Sequence, residues 1–267
     1  MPETSTGACS FGRCWGHHYR EVTMKRITTW GAAALAAAVL LTGCAGNAEA
    51  PAASGVVPSD SLASAAPVID DRPLEDQLRT AINAHDAALV EALIAAGADL
   101  AHDYGRRMNP LHLAVNAQDA AVVEALVRGG ADVNAPMAGG DTPLLQAANF
   151  NGGAVARVLV RAGADPTVMS AMPFPASPLH RAAGLDNVDV VAALLDEGVA
   201  VDLDPEGNGA TPLVFAVFWG SAQSAEVLIL AGADVTWTDD EGYTLRAMAR
   251  ANGFPEVAAM LESVGAP

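Results

Sequence analysis

Residues 109–132 read NPLHLAVNAQDAAVVEALVRGGAD, and the fold is decided by that stretch. Asn109 is a helix N-cap, its side-chain oxygen able to accept a bond from an orphaned first-turn N–H, and Pro110 follows where a missing N–H costs nothing. A helix is predicted to start there. Leu111, Leu113 and Ala114 give it a narrow apolar face. Asp119 then stands where it can cap a second helix, whose apolar residues Val122, Val123, Leu126 and Val127 recur at helical spacing. Gly129 and Gly130 end that helix, because a left-handed C-terminal residue carries no side-chain penalty when it is glycine. Neither helix is long enough to be stable alone, so the unit must bury its apolar face on a neighbour.

Working outward, the neighbours are in the chain itself. With Leu111 as the reference, equivalent positions fall at Leu78, Leu144, Leu179, Leu213 and Arg246. The closing glycine recurs at Gly97, Gly130, Gly163, Gly198, Gly232 and Gly265, at intervals of 33, 33, 35, 34 and 33 residues. First helices open with Asn109-Pro110-Leu111-His112, Thr142-Pro143-Leu144, Ser177-Pro178-Leu179-His180 and Thr211-Pro212-Leu213. Second helices close with Gly97-Ala98-Asp99, Gly130-Ala131-Asp132, Gly163-Ala164-Asp165 and Gly232-Ala233-Asp234. This pattern resembles the ankyrin repeat over about 190 of the 267 residues. The resemblance implies an all-α, ankyrin-repeat solenoid of about six helix-turn-helix units with hairpin loops. The units fall at about 73–104, 105–137, 138–172, 173–206, 207–239 and 240–267, one domain over 73–267. Unit one has lost its opening motif, and polar Glu75, Asp76, Gln77 and Arg79 suit an end facing water; unit six puts Arg246 where leucine packs. Both read as the caps that a repeat array requires.

Upstream, Met24-Lys25-Arg26 supplies a positive start and Ile27 to Leu41 an apolar run too short to span a membrane comfortably. Leu41-Thr42-Gly43-Cys44 resembles a bacterial lipobox, which implies that residues 24–43 are a lipoprotein signal peptide and that Cys44 is diacylated as the mature N-terminus. An uncleaved signal anchor with an incidental cysteine is the alternative. Ala45 after the cysteine resembles the outer-membrane sorting pattern of a two-membrane envelope. Residues 1–23 are read as a non-native upstream extension, and their Cys9, Cys14, His17 and His18 match no zinc spacing. Residues 44–72, rich in Ala, Ser, Pro, Gly and Asp, read as a flexible tether reaching on the order of 30 Å. The mature chain holds one cysteine, so no disulfide is expected.

Formal charge is −17 over the whole chain. From Cys44 onward ten arginines and no lysine stand against 29 acids, or −19. Such a surface repels phosphate backbones, which excludes nucleic acid. It attracts a basic protein partner at short range, and equally it keeps an alanine-rich stack soluble. Four histidines follow the leader. His112 and His180 occupy the histidine slot of the repeat motif, which implies a structural bond to loop backbone, and His85 and His102 have no ligand-spaced companions; no metal site is expected. Asp202-Leu203-Asp204-Pro205-Glu206-Gly207 looks like half a calcium loop, but its twelfth position is Leu213 rather than a bidentate Glu. No nucleophile with a base, carboxylate pair or glycine-rich phosphate loop departs from the repeat pattern, so neither an enzyme nor a cofactor is expected.

One column does depart from it. Six residues past the reference leucine stand Ala84, Ala117, Phe150, Leu185, Trp219 and Asn252, with Phe218 before Trp219. In ankyrin-repeat proteins this column faces the concave side and contacts partners. Three consecutive large apolar residues are costly to leave wet. With Phe174, Trp237 and Tyr243 from adjacent loops they are expected to form an apolar patch in units three to five, rimmed by acids such as Asp239-Asp240-Glu241 and of the composition interfaces favour. The competing reading tucks Phe150 or Trp219 between repeats. The third loop adds Val168, Met169 and Met172 between or beside Pro173 and Pro175. The function expected is a monomeric, lipid-anchored, extracytoplasmic module that binds a protein, a basic one being among the candidates, without catalysis. The alternatives are an immunity or inhibitor protein masking a basic enzyme or toxin, and a structural scaffold of an envelope complex.

Overall fold

Each helix pair grows from the same local chemistry. Asn109 Oδ1 accepts the His112 N–H at 3.0 Å, and Thr142, Thr211 and Thr244 hydroxyls accept in the same way from Leu145, Val214 and Ala247. Proline at the first helical position of four of these units fixes φ where no N–H is needed. The structure, a computed structural model, describes residues 69–170, 175–207, 209–239 and 241–267.

Among the described residues the elements are helices in pairs. The first helices are α1 (Leu74–Asn83), α3 (Pro110–Asn116), α5 (Pro143–Ala147), α7 (Pro178–Gly184), α9 (Pro212–Trp219) and α11 (Leu245–Ala251). Their partners are α2 (Ala87–Ala95), α4 (Ala120–Arg128), α6 (Gly153–Arg161), α8 (Val188–Asp196), α10 (Ala222–Leu230) and α12 (Pro255–Ser263). Each first helix packs on its own second helix and on the first helix of the next repeat, and second helices stack likewise, giving two layers with the core between them. Leu78, Leu111, Leu144, Leu179 and Leu213 are fully buried on one side of that core. Leu93, Leu126, Leu159, Leu194, Leu228 and Leu261 form the matching buried column from the second layer. At roughly 25 cal/mol per Å² of apolar surface, these two columns dominate the stacking energy.

Gly130 shows how each second helix stops. It holds φ at +95°, its N–H reaches Val127 O and the Ala131 N–H reaches Leu126 O, both at 3.0 Å. The same pair of bonds recurs at Gly97, Gly163, Gly198, Gly232 and Gly265. The connecting loops close as hairpin turns: Met137 N–H donates to Asp141 O at 2.9 Å, and isolated antiparallel bridges join Ser170 to Ala176 and Thr238 to Thr244.

The two ends differ from the middle. Gln77 is buried rather than water-facing, because its side chain donates to the carbonyls of Asp70 and Arg72 at 2.9 and 2.7 Å and accepts from the Asp70 N–H. A polar residue at that position therefore clamps the incoming chain onto α1. Tyr104, from the first loop, donates to Glu75 O at 2.6 Å; burial, with the charge of Glu75 beside it, pushes its phenol up to about 12. At the other end Arg246 is half-buried, and Leu245 and Met248 supply the apolar contacts of α11. The signal segment, Cys44 and most of the tether lie outside the described residues, as do the tips Met172 and Phe174. Among the described residues no helix is long and apolar enough to cross a membrane.

Candidate functional site

Phe150, Leu185 and Trp219 occupy equivalent repeat positions, Phe150 in the turn after α5, Leu185 directly after α7 and Trp219 at the end of α9, and they are 38%, 54% and 49% exposed. Trp219 is half tucked and half wet. Its ring lies over Gly184 of the preceding repeat, where an added Cβ would come within 2.9 Å of Cδ1, and it meets the half-buried Phe218 edge-on at 5.1 Å. Glycine at 184 therefore makes room for the indole.

A hydrogen-bonded seam holds this row in register. Asn187 Nδ2 donates to Ala148 O at 2.8 Å, Ser221 Oγ to Gly184 O at 2.9 Å and Asn252 Nδ2 to Phe218 O at 3.2 Å, each capping the first helix of the repeat before. In the other direction Asn151 Oδ1 accepts the Asp189 N–H at 3.1 Å and Asp186 Oδ1 the Ser224 N–H at 2.7 Å, so second helices are capped from the previous repeat. His85 makes the corresponding contact to Asp119, Nδ1 to Oδ2, at 2.9 Å. Side chains mounted on such a seam present a fixed spacing.

Trp237 and Tyr243 lie elsewhere. Trp237 is half-buried with its Nε1 3.0 Å from where a Gly209 Cβ would stand, which joins the fourth and fifth loops. Tyr243, 39% exposed, donates to Ala247 O at 3.1 Å along α11. Both sit where loops enter the first helices, whereas the row sits where first helices end, about 10 Å away for a seven-residue helix. Phe150, Leu185 and Trp219 thus share one register with Phe218 against Trp219, Trp237 and Tyr243 lie at the loop end, and Phe174 lies outside the described residues.

Sequence reasoning missed Arg181. Its guanidinium forks onto Asp141 at 2.8 and 3.0 Å and donates to Leu145 O at 3.0 Å, fastening repeat four to repeat three at the start of α5. The available signal was a cation in a slot where other units hold Leu113, Gln146 and Phe215. Asp202 and Asp204 on the fourth loop are occupied with backbone. Asp202 accepts the Asp234 N–H at 3.0 Å, and Asp204 accepts from Gly207 and Gly209 at 2.9 and 2.8 Å. The residues once comparable to a calcium loop are turn and inter-repeat caps. Among the described residues no group of three His, Cys, Asp or Glu side chains could hold a metal ion.

His112 and His180 are buried in the repeat frame. Ser177 Oγ donates to His180 Nδ1 at 2.7 Å and His180 Nε2 donates to Ala210 O at 2.6 Å. Asn109 N–H donates to His112 Nδ1 at 3.3 Å, while His112 Nε2 finds no hydrogen-bond partner. Burial holds both imidazoles below the ordinary histidine range, offset in part by neighbouring backbone carbonyls.

A family profile described as ankyrin repeats in three copies matches residues 78–170 and again 169–239. Diacylglycerol kinase iota of Mus musculus is 37% identical over 87 residues, 32% of this chain and 8% of the kinase; the Rattus norvegicus protein is 36% identical over the same shares. The chain therefore spans under a tenth of the length of these curated relatives. Among solved structures, the human ASB11 ankyrin repeat domain has 27% identity and a TM-score of 0.58, covering 71% of this chain and 84% of that one. The ankyrin repeat domain of Bcl-3, described as a member of the IkappaB protein family, has 26% identity and a TM-score of 0.59, covering 72% and 86%. The motif spacing, the two stacked helix layers and these matches agree, and the chain belongs to the ankyrin-repeat family.

Proposed function

We propose that this chain is a non-catalytic module that binds another protein through the face bearing Phe150, Leu185 and Trp219. The observation that carries the reading is the row itself: three consecutive repeats present large, part-exposed apolar side chains in one register on a hydrogen-bonded scaffold. Apolar residues in that arrangement gain free energy when a partner removes them from water, and aromatic anchors dominate such gains. The ankyrin-repeat scaffold supports it further, since stacked repeats fix geometry while surface positions carry specificity.

The test is affinity capture from cell-envelope extract with the purified chain, beside a Phe150→Ala/Trp219→Ala variant of matched stability. One dominant protein captured by the first and lost by the second is the expected result. The same proteins on both would move the interface off this row.

Lipid anchoring outside the cytoplasm is part of the proposal and rests on Leu41-Thr42-Gly43-Cys44 after an apolar run. Two or three acyl chains at about 0.8 kcal/mol per buried methylene give durable attachment. A clickable fatty acid should label the wild type and not Cys44→Ser; equal labelling of both removes the anchor from the reading.

A further inference from the structure

We infer that the row Phe150, Leu185, Trp219 docks a cationic amphipathic helix whose apolar residues recur at every seventh position. The inference rests on the protein-binding reading above and names the chemistry of the partner.

Spacing carries the first half of the argument. The three residues stand at one register position, Trp219 as the last residue of α9 and Leu185 and Phe150 just past α7 and α5, on first helices packed in succession. Packed helices lie about 8–10 Å apart, so the anchors repeat at about that step. An α-helix advances about 10.5 Å in seven residues and returns close to its starting azimuth, so residues i, i+7 and i+14 meet the three anchors in turn. An extended strand repeats one face about every 6.7 Å and is out of step by the second anchor.

Charge carries the second half. Residues 171–267 contain fourteen Asp and Glu against Arg181, Arg246 and Arg250. Arg181 is forked onto Asp141, and Arg250 pairs with Glu262 at 3.1 Å. The arginines of the second-helix layer at 128, 157 and 161 pair there with Glu91, Asp196 and Glu197. In the first-helix layer of repeats five and six only Arg246, half-buried on α11, adds a cation to those already paired. The loops leading into these helices bring Asp204, Glu206, Asp239 and Glu241 to the same half of the array. A lysine- or arginine-rich helix is drawn to such a surface, and an acidic one is repelled by it.

The experiment uses the full chain and fluorescently labelled peptides of about three heptads. The probe has leucine at every seventh position among lysine and alanine. One comparator has glutamate in place of lysine, and another has the same composition with the leucines redistributed. Anisotropy titration should show the first peptide bound, with affinity falling about tenfold or more as salt rises past the point where the screening length drops to about 3 Å. Trp219→Ala and Leu185→Ser should each weaken it about thirtyfold. Leu230→Ser, on the second-helix layer at a residue 80% exposed, should leave it unchanged. Wild-type affinity in both row variants, or equal binding of the redistributed peptide, overturns the inference. Preference for the glutamate peptide, or no peptide bound while the envelope capture still depends on Phe150 and Trp219, overturns the inference and leaves the protein-binding reading standing. Failure of both experiments removes both.

Discussion

Two glycines show how differently a single residue can be required. At Gly130 an added Cβ would meet nothing within 4 Å, yet φ is +95°. Gly130→Ala is expected to cost about 1–2 kcal/mol through backbone strain alone, and Gly130→Asn to recover part of it, because asparagine tolerates the left-handed region. At Gly153 φ is ordinary and an added Cβ would come within 2.3 Å of the Asp189 carbonyl. There alanine and asparagine should be equally harmful, and chemical denaturation of the four variants separates the mechanisms. Equal recovery by asparagine at both sites would mean the close approach at Gly153 is not limiting. His112 and His180 supply a prediction in pH. Burial holds both folded-state values below the unfolded one, so folding favours neutral imidazole. The stability this contributes is complete above the unfolded value of about 6.5 and is lost as the pH falls below it through the folded values. Urea midpoints should decline across that window and decline less in His180→Gln. The carboxylates held low titrate in a separate, more acidic window: Asp165 and Asp234 through Thr167 and Thr236 hydroxyls, and Asp119, against its burial, through bonds from Val122 and His85.

At the scale of the element, a helix of five to ten residues has little stability of its own, and the structure shows where the deficit is met. The larger part is the leucine columns. Leu126→Ala is expected to cost about 2–5 kcal/mol by leaving a cavity between α4 and its neighbours, whereas Ala117→Ser, outside the core, should cost almost nothing. Similar losses in urea melts would put the repeat register in error. The smaller part is polar and crosses repeats. Arg181→Met strands the carboxylate of Asp141 and the Leu145 carbonyl, a loss of about 1–3 kcal/mol. Combined with Asp141→Asn it should cost less than the two single changes together, by about 0.5 kcal/mol or more. Strict additivity would make the fork a surface contact of no consequence.

For the whole molecule, stacking of like units implies that energy is passed only between neighbours. Leu93 in repeat one and Leu261 in repeat six touch no common helix. Leu93→Ala should therefore raise amide hydrogen exchange in α1 to α4 and leave α10 and α12 close to wild type, while a uniform rise would show one cooperative unit instead. Most of this architecture is legible in the amino-acid order, because the signals are local and repeated. Proline after a capping residue, glycine after an apolar run and leucine at a fixed step each act within a few residues, and a period near 33 leaves stacking as the one way to bury six narrow faces. The column holding Phe150, Leu185 and Trp219 is legible for the same reason. What only the tertiary structure decided depends on contacts between residues 30 or more apart. The fork of Arg181 on Asp141 and the Asn187, Ser221 and Asn252 caps on the preceding repeat are of this kind. So is the seating of Trp219 over Gly184. A side chain's partner across a repeat boundary is fixed by how far one unit shifts and turns against the next, and no spacing along the chain encodes that.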